Sequence, residues 1–89
     1  MLEKDFTIIN KLGLHARAAA KLVAHASRYS AQIDILKGEQ HINAKSIMGV
    51  MMLAASKGTV LTFVADGDDA TEALADLEAL IENRFGEAE

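Results

Sequence analysis

Gly13-Leu14-His15-Ala16-Arg17-Ala18-Ala19-Ala20-Lys21-Leu22-Val23-Ala24-His25-Ala26 is the stretch on which the fold turns. Ala19, Leu22, Val23 and Ala26 fall at i, i+3, i+4 and i+7, which places them on one helical stripe. Alanine, the best helix former, fills most of the first turn. The spacing predicts a helix from Ala16 to Arg28 with one face buried. A polar break, Asn10-Lys11-Leu12-Gly13, precedes it. Before that break, Leu2 to Ile9 reads as a strand, with Phe6 and Ile8 on one face and Asp5 and Thr7 on the other.

Working toward the C-terminus, Ile33 and Ile35 alternate with Gln32 and Asp34, a second strand. Lys37-Gly38-Glu39-Gln40 is a turn, and Ile42 and Ala44 continue as a short third strand, so the pair makes a hairpin. Ser46 is a natural N-cap for a short, mostly apolar helix to Leu53. Lys57-Gly58 closes that segment. Val60 to Ala65 is β-branched and aromatic, a fourth strand. Asp69 and Glu72 have capping-box spacing, with Asp in place of Ser or Thr. They open a last helix running to about Arg84, with its stripe on Ala70, Ala73, Leu74, Leu77, Leu80 and Ile81. The order β-α-β-β-α-β-α implies an α+β fold of two layers: a four-stranded antiparallel or mixed sheet with three helices on one face.

Composition narrows the function. The chain has 89 residues, 51% hydrophobic and 25% charged. That is one small globular domain, residues 1–89, with room for a shallow site. Nine Lys+Arg against thirteen Asp+Glu give a net charge of −4, which argues against a nucleic-acid partner. Cysteine is absent, so disulfides and thiolate chemistry are excluded. No apolar run reaches the ~20 residues of a membrane span, and Met1 to Asp5 lacks the apolar stretch of a signal peptide. A cytoplasmic monomer is expected. There is no Walker loop, G-x-G-x-x-G, H-E-x-x-H or G-x-S-x-G, and the histidines lack ligand spacing, so neither a cofactor nor a metal is expected.

His15 is the most informative residue. With the helix starting at Ala16 it sits at the N-cap, where His is not a favoured residue. The free N–H groups of Ala16 and Arg17 make an anion site beside the ring. The helix's positive end favours the neutral, nucleophilic imidazole. The Arg17 guanidinium fork suits phosphate oxygens. Together these could accept and hold a phosphoryl group. The bland alternative is that His15 merely caps the helix and Arg17 is a solvated charge. His25 and His41 read as surface or half-buried residues. Ser46 is either a plain cap or a phosphorylation target, since phosphate is electrostatically tolerated at a helix N-terminus. Ile47, Met48 and Met51 are expected to be partly exposed, because so short a helix cannot bury every side, while Val50 and Leu53 belong to the core.

Gly13-Leu14-His15-Ala16-Arg17, followed by Lys45-Ser46-Ile47-Met48-Gly49-Val50-Met51, resembles the HPr family, the histidine-containing phosphocarriers of the bacterial phosphoenolpyruvate-dependent phosphotransferase system. The resemblance spans nearly the whole chain, including the Ala65-Asp66-Gly67 turn. It implies an open-faced β-sandwich, four antiparallel strands covered by three helices. It also implies a carrier rather than an enzyme: His15 takes a phosphoryl group on Nδ1 from phosphorylated enzyme I and passes it to a histidine of an enzyme IIA-type protein. Arg17 and the backbone N–H of Ala16 steady the phosphate. Ser46 matches the serine modified by HPr kinase/phosphorylase. Ala20, Ala24, Ile47, Met48 and Met51 match the surface that meets partners. Ala18 departs from the family, which usually has Pro there. The nitrogen-related paralogue shares the His motif, and the Ser46 motif favours HPr proper. Two other classes stand beside the carrier. One is an interaction module acting through its Ser46-phosphorylated form, for example on transcriptional regulators. The other is a small-ligand-binding regulatory domain, against which the lack of a Gly-rich loop or aromatic cluster counts.

Overall fold

The computed structural model describes residues 1–89. Its elements are β1 (Leu2–Thr7), α1 (Ala16–Ala26), β2 (Gln32–Lys37), β3 (Gln40–Asn43), α2 (Ile47–Met52), β4 (Val60–Asp66) and α3 (Ala70–Glu82), followed by a short 3-10 turn at Arg84–Gly86. The four strands form one antiparallel sheet in the order β1-β4-β2-β3. This is the open-faced architecture expected, with the element order expected.

Period-two alternation gives the sheet its two faces. Phe6, Ile33, Ile35, Leu61, Phe63 and Ala65 point into the core, and Ile8 follows just past β1. The Phe6 and Phe63 rings lie 5.1 Å apart, centroid to centroid, in a tilted pair. The other face stays uncovered by helices. The register sets Asp5, Thr62, Leu36 and His41 side by side across it, and Glu3, Val64, Asp34 and Asn43 in the next row. The helices fill the inner layer with Ala18, Ala19, Leu22 and Ala26 from α1, Val50 from α2, and Ala73, Leu74, Leu77 and Ile81 from α3. All join one cluster of 23 buried residues. No helix is long and apolar enough to cross a membrane.

Several boundaries differ from expectation. β1 ends at Thr7, the last residue paired with β4, because Ile8 bonds instead to Thr59 and Gly58 in the loop before β4. α1 ends at Ala26 rather than Arg28: the N–H groups of Arg28 and Tyr29 reach back only three residues, tightening the chain into turns. β3 ends at Asn43, although Ala44 still donates to the carbonyl of Ile33. α3 stops at Glu82, because Arg84 and Phe85 adopt positive φ and Phe85 turns into the core. The Val23 and Leu80 stripe positions are only partly buried, while Ala18, outside the predicted stripe, is fully buried. Ala18 thus sits in the first turn of an intact helix.

The capping box at Asp69 does not form. Asp69 occupies the N-cap of α3, but its side chain makes no capping bond. The carboxylate instead accepts the backbone N–H groups of Ser30 (2.9 Å) and Ala31 (2.8 Å) and the Ser30 hydroxyl (3.3 Å), clamping the entry to β2 onto the start of α3. The Ser30 N–H, ahead of that of Ala31, holds this carboxyl below its usual range despite partial desolvation. A carboxyl with a lowered folded-state pKa adds stability above its unfolded value and loses it as pH falls through the folded one. The wild-type chain is therefore expected to lose stability below about pH 4. An Asp69→Asn variant should be less stable at pH 7 and show a smaller acid-induced loss. Urea midpoints at pH 7 and pH 3 measure both.

Candidate functional site: the His15 helix cap

The site is built by the loop joining β1 to α1. Asn10 is fully buried, and its Nδ2 donates to the carbonyl of Gly13 (2.8 Å), curling the loop back on itself. Gly13 takes φ +66° against the backbone of Ala55, and the N–H of Leu14 donates to the Ala55 carbonyl (2.8 Å). Leu14 is buried. These contacts fix where α1 begins and therefore where His15 stands.

His15 is the N-cap of α1, with extended backbone (φ −70°, ψ 175°). Its Nδ1 accepts the N–H of Arg17 at 3.3 Å. An acceptor Nδ1 carries a lone pair, so the proton of the neutral ring belongs on Nε2. There the ring meets the Glu87 carboxylate. The imidazole is partly open to solvent, with its side chain 30% exposed. Ala16 and Arg17 are exposed beside it. Lys11, Leu12, His15, Ala16 and Arg17 line a groove of about 780 Å³ with the tail residues 87–89. Backbone donors of a helix start, a cationic guanidinium and a nitrogen lone pair share this one groove. The arrangement can bind an oxyanion and attack an electrophile within it.

Sequence reasoning missed the tail. Glu87 lies at the edge of the site, and its other carboxylate oxygen accepts Asn10 Nδ2 (3.0 Å). The Asn10 bond, followed by the His15 bond, holds the Glu87 carboxyl below its usual range. The ring's surroundings are thus of mixed sign, where the helix end alone had suggested only positive charge. Leu12, read as part of a polar break, is 68% exposed in the groove and extends its apolar surface. No pattern in the sequence pointed to Glu87. Asn10, polar directly after the apolar Ile8-Ile9, was the available hint of a structural side chain.

Ser46 caps α2 as expected, its Oγ accepting the N–H of Gly49 (3.1 Å). Ile47, Met48 and Met51 are 42%, 71% and 44% exposed, whereas Val50 and Leu53 are fully buried. Met52, also exposed, adds to the apolar surface of this helix. α2 packs beside α1, on which Ala20 and Ala24 are exposed. His25 and His41 stand apart from His15. His25 pairs through Nδ1 with Asp76 (2.8 Å), and His41 lies 3.4 Å from Asp34 on the uncovered sheet face.

The family model described as the PTS HPr component phosphorylation site matches residues 2–83. The chain is 55% identical over 89 residues to the phosphocarrier protein HPr of Cupriavidus necator, covering 100% of both sequences. It is 46% identical over 87 residues to the phosphocarrier protein NPr of Shewanella violacea, covering 98% of this chain and 96% of that protein. Its structure superposes on the crystal structure of HPr-C-His from Thermoanaerobacter tengcongensis with a TM-score of 0.96, at 49% identity and with 100% of each chain covered.

Proposed function

The chain belongs to the HPr family, the phosphocarriers of the phosphotransferase system, and from that premise we propose that His15 is its phosphoryl acceptor, loaded by phosphorylated enzyme I and discharged to a histidine of an enzyme IIA-type protein. One observation carries this reading: the Nδ1 lone pair of His15 faces the backbone N–H of Arg17, in the first turn of α1. When Nδ1 attacks phosphorus, an incoming phosphate oxygen inherits that donor. The exposed Arg17 guanidinium supplies the charge that a transferring phosphoryl group needs. Little else is required, because transfer between two nitrogens depends chiefly on alignment and charge neutralisation. Incubation with enzyme I and labelled phosphoenolpyruvate is expected to place one acid-labile, base-stable phosphate in the peptide containing His15. An acid-stable label, or label confined to another peptide, overturns the reading.

The exposed Ile47, Met48 and Met51, beside Ala20 and Ala24 of α1, form the docking surface in this proposal. Transient complexes favour such an apolar centre ringed by charge. Ser46 borders it and is the regulatory position. A phosphate there adds about −1.5 to −2 charges and wets the methionine surface. Ser46-phosphorylated protein is expected to accept phosphate from enzyme I with kcat/KM lowered about tenfold or more, mainly through KM. Equal rates for the two forms would remove Ser46 from the regulation of transfer. Binding of the serine-phosphorylated form to transcriptional regulators, with His15 unmodified, is the second use this surface allows.

A further inference from the structure

We propose that Glu87 is a positioning residue for His15: its carboxylate takes the Nε2–H and so presents the Nδ1 lone pair to the incoming phosphoryl group, while Asn10 holds Glu87 in place. This deepens the phosphocarrier reading and rests on it.

The tail is anchored immediately before Glu87. Phe85 is buried in the core, and Lys21 Nζ donates to its carbonyl at 2.6 Å. Beyond Glu87, the N–H of Lys11 donates to the Glu89 carbonyl at 2.6 Å. Glu87 therefore stands between two fixed points. Asn10 then directs its carboxylate. The Nδ2 of this buried amide serves both Gly13 and Glu87, while its Oδ1 has no partner. Reversing the amide would turn its oxygen toward a carbonyl and a carboxylate, so only one orientation is tolerable. The same donor thus ties the His15 loop to the carboxylate that meets the His15 ring.

The chemistry balances without moving a proton. The ring starts neutral, protonated on Nε2. Its Nδ1 lone pair forms the N–P bond as the donor's N–P bond breaks, and the donor keeps the bonding pair. The loaded ring is a phosphoimidazolium, and Glu87 offsets its positive charge through the retained Nε2–H. On discharge the Nδ1–P bond breaks as the acceptor's N–P bond forms, and the ring returns to its starting state.

The test pairs a spectroscopic signature with kinetics. In ¹⁵N-labelled, unphosphorylated protein, His15 is expected to show a slowly exchanging Nε2–H resonance and an unprotonated Nδ1. Glu87→Leu should abolish that resonance by exposing the proton to exchange, with the backbone amide spectrum otherwise retained. Glu87→Asp should restore it in part. The kcat for phosphorylation by enzyme I should fall on the order of tenfold in Glu87→Leu, with KM for the carrier changed less than about twofold. A persistent Nε2–H resonance in Glu87→Leu, or an unchanged kcat, overturns the positioning role. An unlabelled His15 in the wild-type chain overturns the phosphocarrier reading instead, whatever the resonance does.

Discussion

A His15→Ala chain is expected to accept essentially no acid-labile phosphate from enzyme I, a loss of about 10³-fold or more. The size of the effect follows from what surrounds the other two imidazoles. His25 lies in the last turn of α1, where helix carbonyls repel an anion, and its Nδ1 is engaged by Asp76. Burial pushes the Asp76 carboxyl upward, but the hydrogen bonds from Tyr29 and His25 outweigh it and leave it below its usual range. A phosphate at His25 would therefore meet a fixed negative charge. His41 faces Asp34 on the open side of the sheet, in the same row as Asp5. Only His15 has a ring nitrogen aimed at a backbone N–H, that of Arg17, while the adjacent carboxylate sits on the opposite nitrogen. Neither remaining histidine can substitute for it. Quantitative labelling of His15→Ala, compared with His25→Ala and His41→Ala, checks this. The last two variants should label within about twofold of wild type.

Gly13→Ala is expected to cost about 3 kcal/mol or more, since positive φ and close packing act together at that position. A Cβ on this backbone would sit 2.4 Å from the Ala55 carbonyl oxygen and 2.9 Å from the Ser56 Cα, both main-chain atoms that cannot simply rotate away. Backing off would stretch the 2.8 Å bond from the Leu14 N–H to that same oxygen. It would also move the Gly13 carbonyl from Asn10, and Asn10 from Glu87. For a domain of this size the loss corresponds to a fall in Tm on the order of 15 °C. Phosphoryl acceptance should also drop at temperatures where the variant is still folded. Thermal unfolding by circular dichroism, with labelling at 10 °C, separates the two effects. A variant with wild-type Tm would mean that the loop adjusts without strain.

Local patterns made most of the architecture legible. Alternation in Phe6 to Ile8 and in Gln32 to Ile35 gave the faces of β1 and β2, and the α1 and α3 stripes gave the helices. His15 and Ser46 were legible because each cap is decided by its own backbone and the few residues after it. What could not be read depends on distant neighbours. Alternation says which side of a strand is buried, but not that β4 lies between β1 and β2. The Asp69 carboxylate was expected to serve its own helix and instead serves Ser30 and Ala31, because tertiary approach offered it stronger donors. Glu87 comes to His15 only because Phe85 reverses the chain at positive φ and enters the core. A favoured backbone preference predicts none of this.

The place of β4 between β1 and β2 also governs how the molecule is made. Thr7 pairs with Val60, so β1 has no sheet partner while the polypeptide between them is being synthesised. The β2–β3 hairpin is the one strand pairing that neighbours in sequence can close early. Until β4 leaves the ribosome, the segments that become α1, α2 and the hairpin have no complete sheet to pack against. Closing that long loop is expected to slow folding relative to a helical bundle of equal size, and a chain truncated before Val60 is expected to leave the apolar faces of β1 and the hairpin uncovered.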